Sequence, residues 1–225
     1  MIAPLLALAG LSIAFSWLGR RSVQALSEGR ISLHLPVMIA VGLLASWPMI
    51  LISRVEITAS LSILACAALF LGLLAMTDQR AAWAPDVLTY PLAALSGALV
   101  MSESSIVLGM ALGAGLYFVS QFLFYRLSEV WQACPPPPDL MAFAIGPALL
   151  GFTAHYAMAL TLSLAGLLVM RQRPDLIARM FHPAILEEAR LDLGYTEEQG
   201  LPLPLLAVLF PAYLIALYIA AIHQG

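Results

Sequence analysis

Three carboxylates stand at the edges of long apolar runs, where an ionisable group needs a reason. Asp78 ends one run, Asp86 opens the next after Pro85, and Asp139 opens another after Pro135-Pro136-Pro137-Pro138. Two carboxyl groups that share a site do not easily both ionise, so one keeps a proton and the other its charge. Such a pair can hydrolyse a peptide bond: the charged member activates water as a base, and the protonated member donates to the substrate carbonyl. The candidate pair is Asp78 with Asp139. Helix ends suggest which carries the charge. Asp78 falls at the C-terminal end of its helix, which disfavours an anion, and Asp139 at the N-terminal end of another, which favours one. On that argument Asp139 is ionised and Asp78 protonated. A plainer explanation exists for each residue, Asp139 as a helix cap after a proline loop and Asp78 as an interfacial charge. Asp86 reads mainly as a helix start, since Pro-Asp precedes an apolar run.

Other chemistries find less in the chain. There is no lysine, which removes the Ser-Lys mechanism of some membrane proteases. His34, His155, His182 and His223 are scattered, without HxxxH or HExxH spacing. His155 reads as a packing or hydrogen-bonding residue inside an apolar helix. Cys66 and Cys134 form no CxxC; Cys66 reads as core. No metal, other cofactor or nucleic acid is expected. Glu187, Glu188, Glu197 and Glu198 could attract a basic peptide, although a solvated acidic loop accounts for them as well.

The elements that must position the two carboxylates are membrane helices. The 225 residues are 62% hydrophobic and 10% charged, where a soluble domain carries roughly 25% charged residues, and the mean hydropathy is +0.94. Apolar runs long enough for spans of about 20 residues cover about 2–18, 35–52, 57–76, 87–101, 106–125 and 203–222. Basic residues follow the first run instead of preceding it, so that run reads as a retained span. The stretch from Asp139 to Met170 is long for one pass and short for two. Gly146-Pro147 and Gly151 near its middle could kink one helix or turn a hairpin. The arginines choose the hairpin, which places nine of the ten on one side and leaves only Arg54 opposite. The expected fold is therefore an all-α, polytopic membrane bundle, one transmembrane domain over residues 1–225. It has about eight hydrophobic segments, including a short-helix hairpin at 139–170, with the arginine-rich loops cytoplasmic. Gly109-xxx-Gly113 spacing allows a close helix contact. The loop at 171–200 could hold an interfacial helix, with Leu176, Ile177, Met180 and Phe181 on one face. Trp17, Trp47, Trp83 and Trp131 fall near span ends, as interfacial anchors do.

Asp78 followed by Pro85-Asp86-Val87-Leu88-Thr89-Tyr90-Pro91-Leu92 resembles the first motif of the type IV prepilin peptidases, an Asp and then, seven residues on, Pro-Asp-x-Leu-Thr-x-Pro-Leu. Asp139-Leu140-Met141-Ala142-Phe143-Ala144-Ile145-Gly146 resembles the second, an Asp opening a short helix of small residues and glycine. Leu201-Pro202-Leu203-Pro204 is similar to the family's proline-containing entry to its last helix. The resemblance covers the chain from about residue 57 onward. It implies that Asp78 and Asp139 are the catalytic aspartates of a membrane aspartyl protease of the bacterial inner (cytoplasmic) membrane, with its active site facing the cytoplasm. The implied substrate is a prepilin-like bitopic membrane protein whose leader is cut just before its apolar helix. Two features depart from the family. Its Gly-x-Gly-Asp is here Pro136-Pro137-Pro138-Asp139, and the basic residue usual soon after the second Asp is replaced by Leu140-Met141. The site is then rebuilt, tuned to one substrate, or inactive. The first loop, about residues 19–34, is too short for the paired-CxxC domain of the larger members, so this is a short form and methyltransferase activity is not expected. Two alternatives stay open: an inactive pilin-binding or assembly protein, and more distantly a proton-coupled transporter.

Overall fold

The computed structural model of the protein describes residues 2–26, 34–52, 59–81, 84–102, 104–127, 137–151, 153–173, 175–176, 179 and 205–224. Among them are eight helices and no strand: α1 (Ile2–Leu26), α2 (Leu35–Ile52), α3 (Ala59–Ala81), α4 (Asp86–Ser102), α5 (Ser104–Leu127), α6 (Pro137–Ala148), α7 (Ala154–Gln172) and α8 (Leu205–Gln224). The all-α bundle agrees with the sequence. α5 and α7 contain stretches long and apolar enough to cross a membrane, at 106–123 and 154–172. Their apolar side chains lie on the surface, including Leu108, Phe118, Val119 and Phe122 of α5 and Leu164, Leu168 and Val169 of α7.

α3 is the central element. From Ala67 to Asp78 nearly every residue is buried, whichever way it points. A helix apolar all round belongs in an interior. Its Gly72 lets two neighbours close in, since a Cβ there would come within 2.6 Å of Val41 on α2 and 3.0 Å of Phe210 on α8. α8 meets α6 where Leu209 lies on Gly146, and α7 where Val208 lies on Gly166. Small residues allow these contacts because they let neighbouring helices approach closely. A few hydroxyls add polar ties: Ser16 donates to the Met38 carbonyl between α1 and α2, and Tyr218 to the Leu44 carbonyl between α8 and α2. The Arg21 guanidinium sits over the ring of Trp17, 5.3 Å from its centre, at the cationic end of α1.

The apolar stretch after Asp139 divides into two helices, as the hairpin expectation required. The break falls at 149–153, not at Gly146-Pro147. Pro147 completes the last turn of α6, and Gly146 is occupied by the approach of α8. Gly151 supplies the left-handed backbone (φ 70°) that ends α6. Replacing Gly151 with Ala should cost about 1–2 kcal/mol from that conformation alone, read as a lower thermal midpoint of the detergent-solubilised protein. Gly109 and Gly113 of α5 face this same region. A Cβ on Gly109 would lie 2.9 Å from the Ala148 carbonyl oxygen, and one on Gly113 3.0 Å from that of Ala144. The glycine pair thus makes the close contact its spacing allows.

Other expectations meet the structure unevenly. Asp86 is exposed in the first turn of α4, whose start is tied by Leu88 and Thr89 amides donating to the Pro85 carbonyl. It is the helix start the sequence indicated. Cys66 is half-buried in α3, not fully core. Cys134, Trp83, Trp131, His182, the four glutamates at 187–198 and the proposed interfacial face at Ile177, Met180 and Phe181 lie outside the described residues. Beyond α7, Arg173 donates through Nε and Nη2 to the two carboxylate oxygens of Asp175 at 3.1 and 3.2 Å. This fork holds Asp175 below the usual carboxylate range.

Candidate active site

Asp78 and Asp139 come from different helices and both are buried, each 2% exposed. Asp78 lies in the last turn of α3 and Asp139 in the first turn of α6. They are near enough for each to feel the other's charge. The structure thus brings near one another the two aspartates that the sequence reading paired. Pro137 and Pro138 form the start of α6. Proline suits the first helical turn, where no intrahelical amide bond is lost, so these prolines deliver Asp139 on a rigid helix start.

The third element is one that residue types could not reveal. Oδ2 of Asp78 accepts hydrogen bonds from the backbone N–H of Leu206 at 2.8 Å and of Ala207 at 3.3 Å. These are free amides of the first turn of α8, so Asp78 caps a helix 128 residues away in the chain. The helix-end argument counted only the helix to which each aspartate belongs. Asp78 also meets the positive end of α8 and two amide donors, and both favour the carboxylate form. Asp139 has an oxygen, Oδ1, that is buried without a protein hydrogen-bond partner. A negative charge there would be unsupported and would face Asp78. The balance of donors thus places the charge on Asp78 and the proton on Asp139, the reverse of the assignment made from sequence.

Nearby polar groups are otherwise engaged or out of reach. The Thr77 hydroxyl donates back to the Leu74 carbonyl at 2.8 Å and Thr89 to that of Pro85 at 3.2 Å. Tyr213 is wholly buried with an unpartnered hydroxyl. It lies seven residues beyond Leu206, about 10.5 Å further along α8. That is more than a tyrosine side chain and a hydrogen bond together span, so it does not join the carboxylates. Among the described residues no group of three or more His, Cys, Asp or Glu side chains is placed to hold a metal.

The end of α3 and the starts of α6 and α8 meet at the two carboxylates. The sequence signal for the α8 amides was Leu201-Pro202-Leu203-Pro204, just ahead of the position where the last helix begins. Comparison of the chain with protein-family models, with curated proteins and with solved structures found no match in any of the three.

Proposed function

We propose that the protein is a membrane aspartyl endopeptidase of the prepilin peptidase type, cutting the leader of a prepilin-like bitopic protein at the cytoplasmic face of a bacterial inner membrane. The observation that carries this reading is the burial of both Asp78 and Asp139 at one end of the bundle, within reach of each other's charge. Burying acids costs several kcal/mol per ion unless they are well paired. Groups placed against that cost mark functional sites more often than ordinary packing does.

In the proposed reaction the charged Asp78 takes a proton from water as the water oxygen adds to the scissile carbonyl carbon. Asp139 gives its proton to the carbonyl oxygen. The tetrahedral intermediate then collapses: Asp78 passes its proton to the leaving amine, and the hydroxyl proton of the intermediate returns to Asp139. Water has then been added across the amide, and the pair regains its starting state. The Leu206 and Ala207 amides keep Asp78 oriented throughout. The arginine distribution, which favours a multi-pass topology with the arginine-rich loops cytoplasmic, supports this reading. Asp78 and Asp139 lie at the end of the bundle where the helices flanking the arginine-bearing stretches at 78–86 and 126–138 end and begin, and a prepilin leader is basic and cytoplasmic.

The test is co-expression with a prepilin-like protein, read as a leader-sized mobility shift and by N-terminal sequencing of the product. Leader cleavage should depend on pH along a bell. One proton must reside on the pair, so the rate falls when both carboxyls are protonated and again when both are ionised. A profile with a single ionisation, measured on purified protein with a leader peptide, would count against the shared-proton mechanism.

A further inference from the structure

At the opposite end of the bundle from the carboxylates, the structure brings together two histidines that the sequence holds far apart. His155 lies in the first turn of α7 and His223 in the last turn of α8. Their ring centres are 5.9 Å apart with the planes inclined at 47°. His155 is half-buried and His223 exposed, so the gap between them opens to the outside.

The separation discriminates between ways two imidazoles can interact. A direct N–H···N hydrogen bond of about 2.9 Å places ring centres no more than about 5.2 Å apart. An ion bound at about 2.0–2.1 Å from one nitrogen of each ring lies about 3.2 Å from each centre, which allows separations up to about 6.4 Å. The observed distance is too long for the first and within the reach of the second, at an N–metal–N angle of about 130°, wider than the tetrahedral angle of about 109°. An aromatic contact also accommodates this distance, but it predicts no response to a metal.

We propose that His155 and His223 form a two-histidine site for a divalent transition-metal ion of the zinc type, completed by water, that clamps the start of α7 to the end of α8. Imidazole is a favoured ligand for such ions, whereas magnesium and calcium prefer oxygen. Two ligands make an open, exchangeable site. Its effect is mechanical: α8 is the helix whose first turn holds Asp78, and the clamp fixes its far end.

The experiment is calorimetric titration of the full-length, tag-free protein in detergent with Zn²⁺, beside thermal melts with Zn²⁺ or Mg²⁺. One saturable Zn²⁺ should bind and raise the thermal midpoint, while Mg²⁺ leaves it unchanged. His223→Gln, at an exposed position near the end of α8, should keep the metal-free midpoint. It should weaken Zn²⁺ binding by about tenfold or more, since even the loss of a ligand's supporting partner costs 10–100-fold. His155→Gln should do the same, and Asp139→Asn should not. Zn²⁺ binding that survives both histidine substitutions at wild-type affinity, or no binding up to millimolar Zn²⁺ at pH 7.5, overturns the proposal. Neither outcome depends on whether the protein cleaves a peptide.

Discussion

Asp78→Asn and Asp139→Asn should each abolish leader cleavage, while their costs to folding differ in a direction the geometry fixes. Removing a base or acid of this kind lowers a rate by about 10²–10⁴, enough to erase the mobility shift in a co-expression experiment. At Asp139 the substitution removes no protein hydrogen bond from Oδ1, which has none, and it removes the repulsion that arises when both carboxyls ionise. The Asp139→Asn protein should therefore melt at or above the wild-type temperature. At Asp78 an Asn oxygen can still accept from Leu206 and Ala207, but as a neutral acceptor, and charge-assisted bonds are about twice as strong as neutral ones. Asp78→Asn should lose about 1 kcal/mol. Asp78→Ala leaves both amides of the first turn of α8 unpaired and should lose about 1–3 kcal/mol. Processing at the wild-type rate in either Asn variant ends the aspartyl reading. A stability loss at Asp139→Asn equal to that at Asp78→Asn would place on Asp139 Oδ1 a protein partner that the structure does not show.

That asymmetry could not be read from the chain. Asp78 and Asp139 stood out because carboxylates bordering apolar runs are uncommon and because their surroundings resemble a known motif. Side-chain types and helix periodicity carry such signals. The donors to Asp78 are backbone amides, which every residue but proline has, and they come from a helix 128 residues away. No composition or spacing marks them. The charge assignment failed for this reason: each aspartate was weighed against its own helix, and the second helix on Asp78 was invisible. His155 and His223 show the same limit, since only the antiparallel packing of α7 on α8 joins them. The break after α6 was legible as a glycine-proline cluster, yet which glycine turned the chain was settled by packing. Gly146 was needed flat against Leu209, leaving Gly151 to take the left-handed turn.

The second large effect is expected on α5, at residues that touch neither carboxylate. A Cβ at Gly109 would meet the Ala148 carbonyl oxygen at 2.9 Å and the Gly151 Cα at 3.0 Å. One at Gly113 would meet the Ala148 Cβ at 2.9 Å and the Ala144 carbonyl oxygen at 3.0 Å. Most of these are backbone atoms and none can rotate away, so α6 must move as a body. Such overpacking costs about 1–3 kcal/mol. α6 has only 12 residues and carries Asp139 in its first turn, so displacement at its end reaches the site. A misplacement of about 1 Å in a reacting group can cost 10²-fold in rate. The Gly109→Ala, Gly113→Ala double variant should therefore cleave about 100-fold more slowly with both aspartates intact. Gly115 supplies the control on the same helix. A Cβ there meets nothing within 4 Å, so Gly115→Ala should keep full activity and gain up to about 1 kcal/mol from lower backbone entropy. Initial rates with a leader peptide, beside thermal melts of each variant, separate the two roles. If the double variant loses stability but keeps its rate, the contact between α5 and α6 holds the bundle together without setting where Asp139 stands.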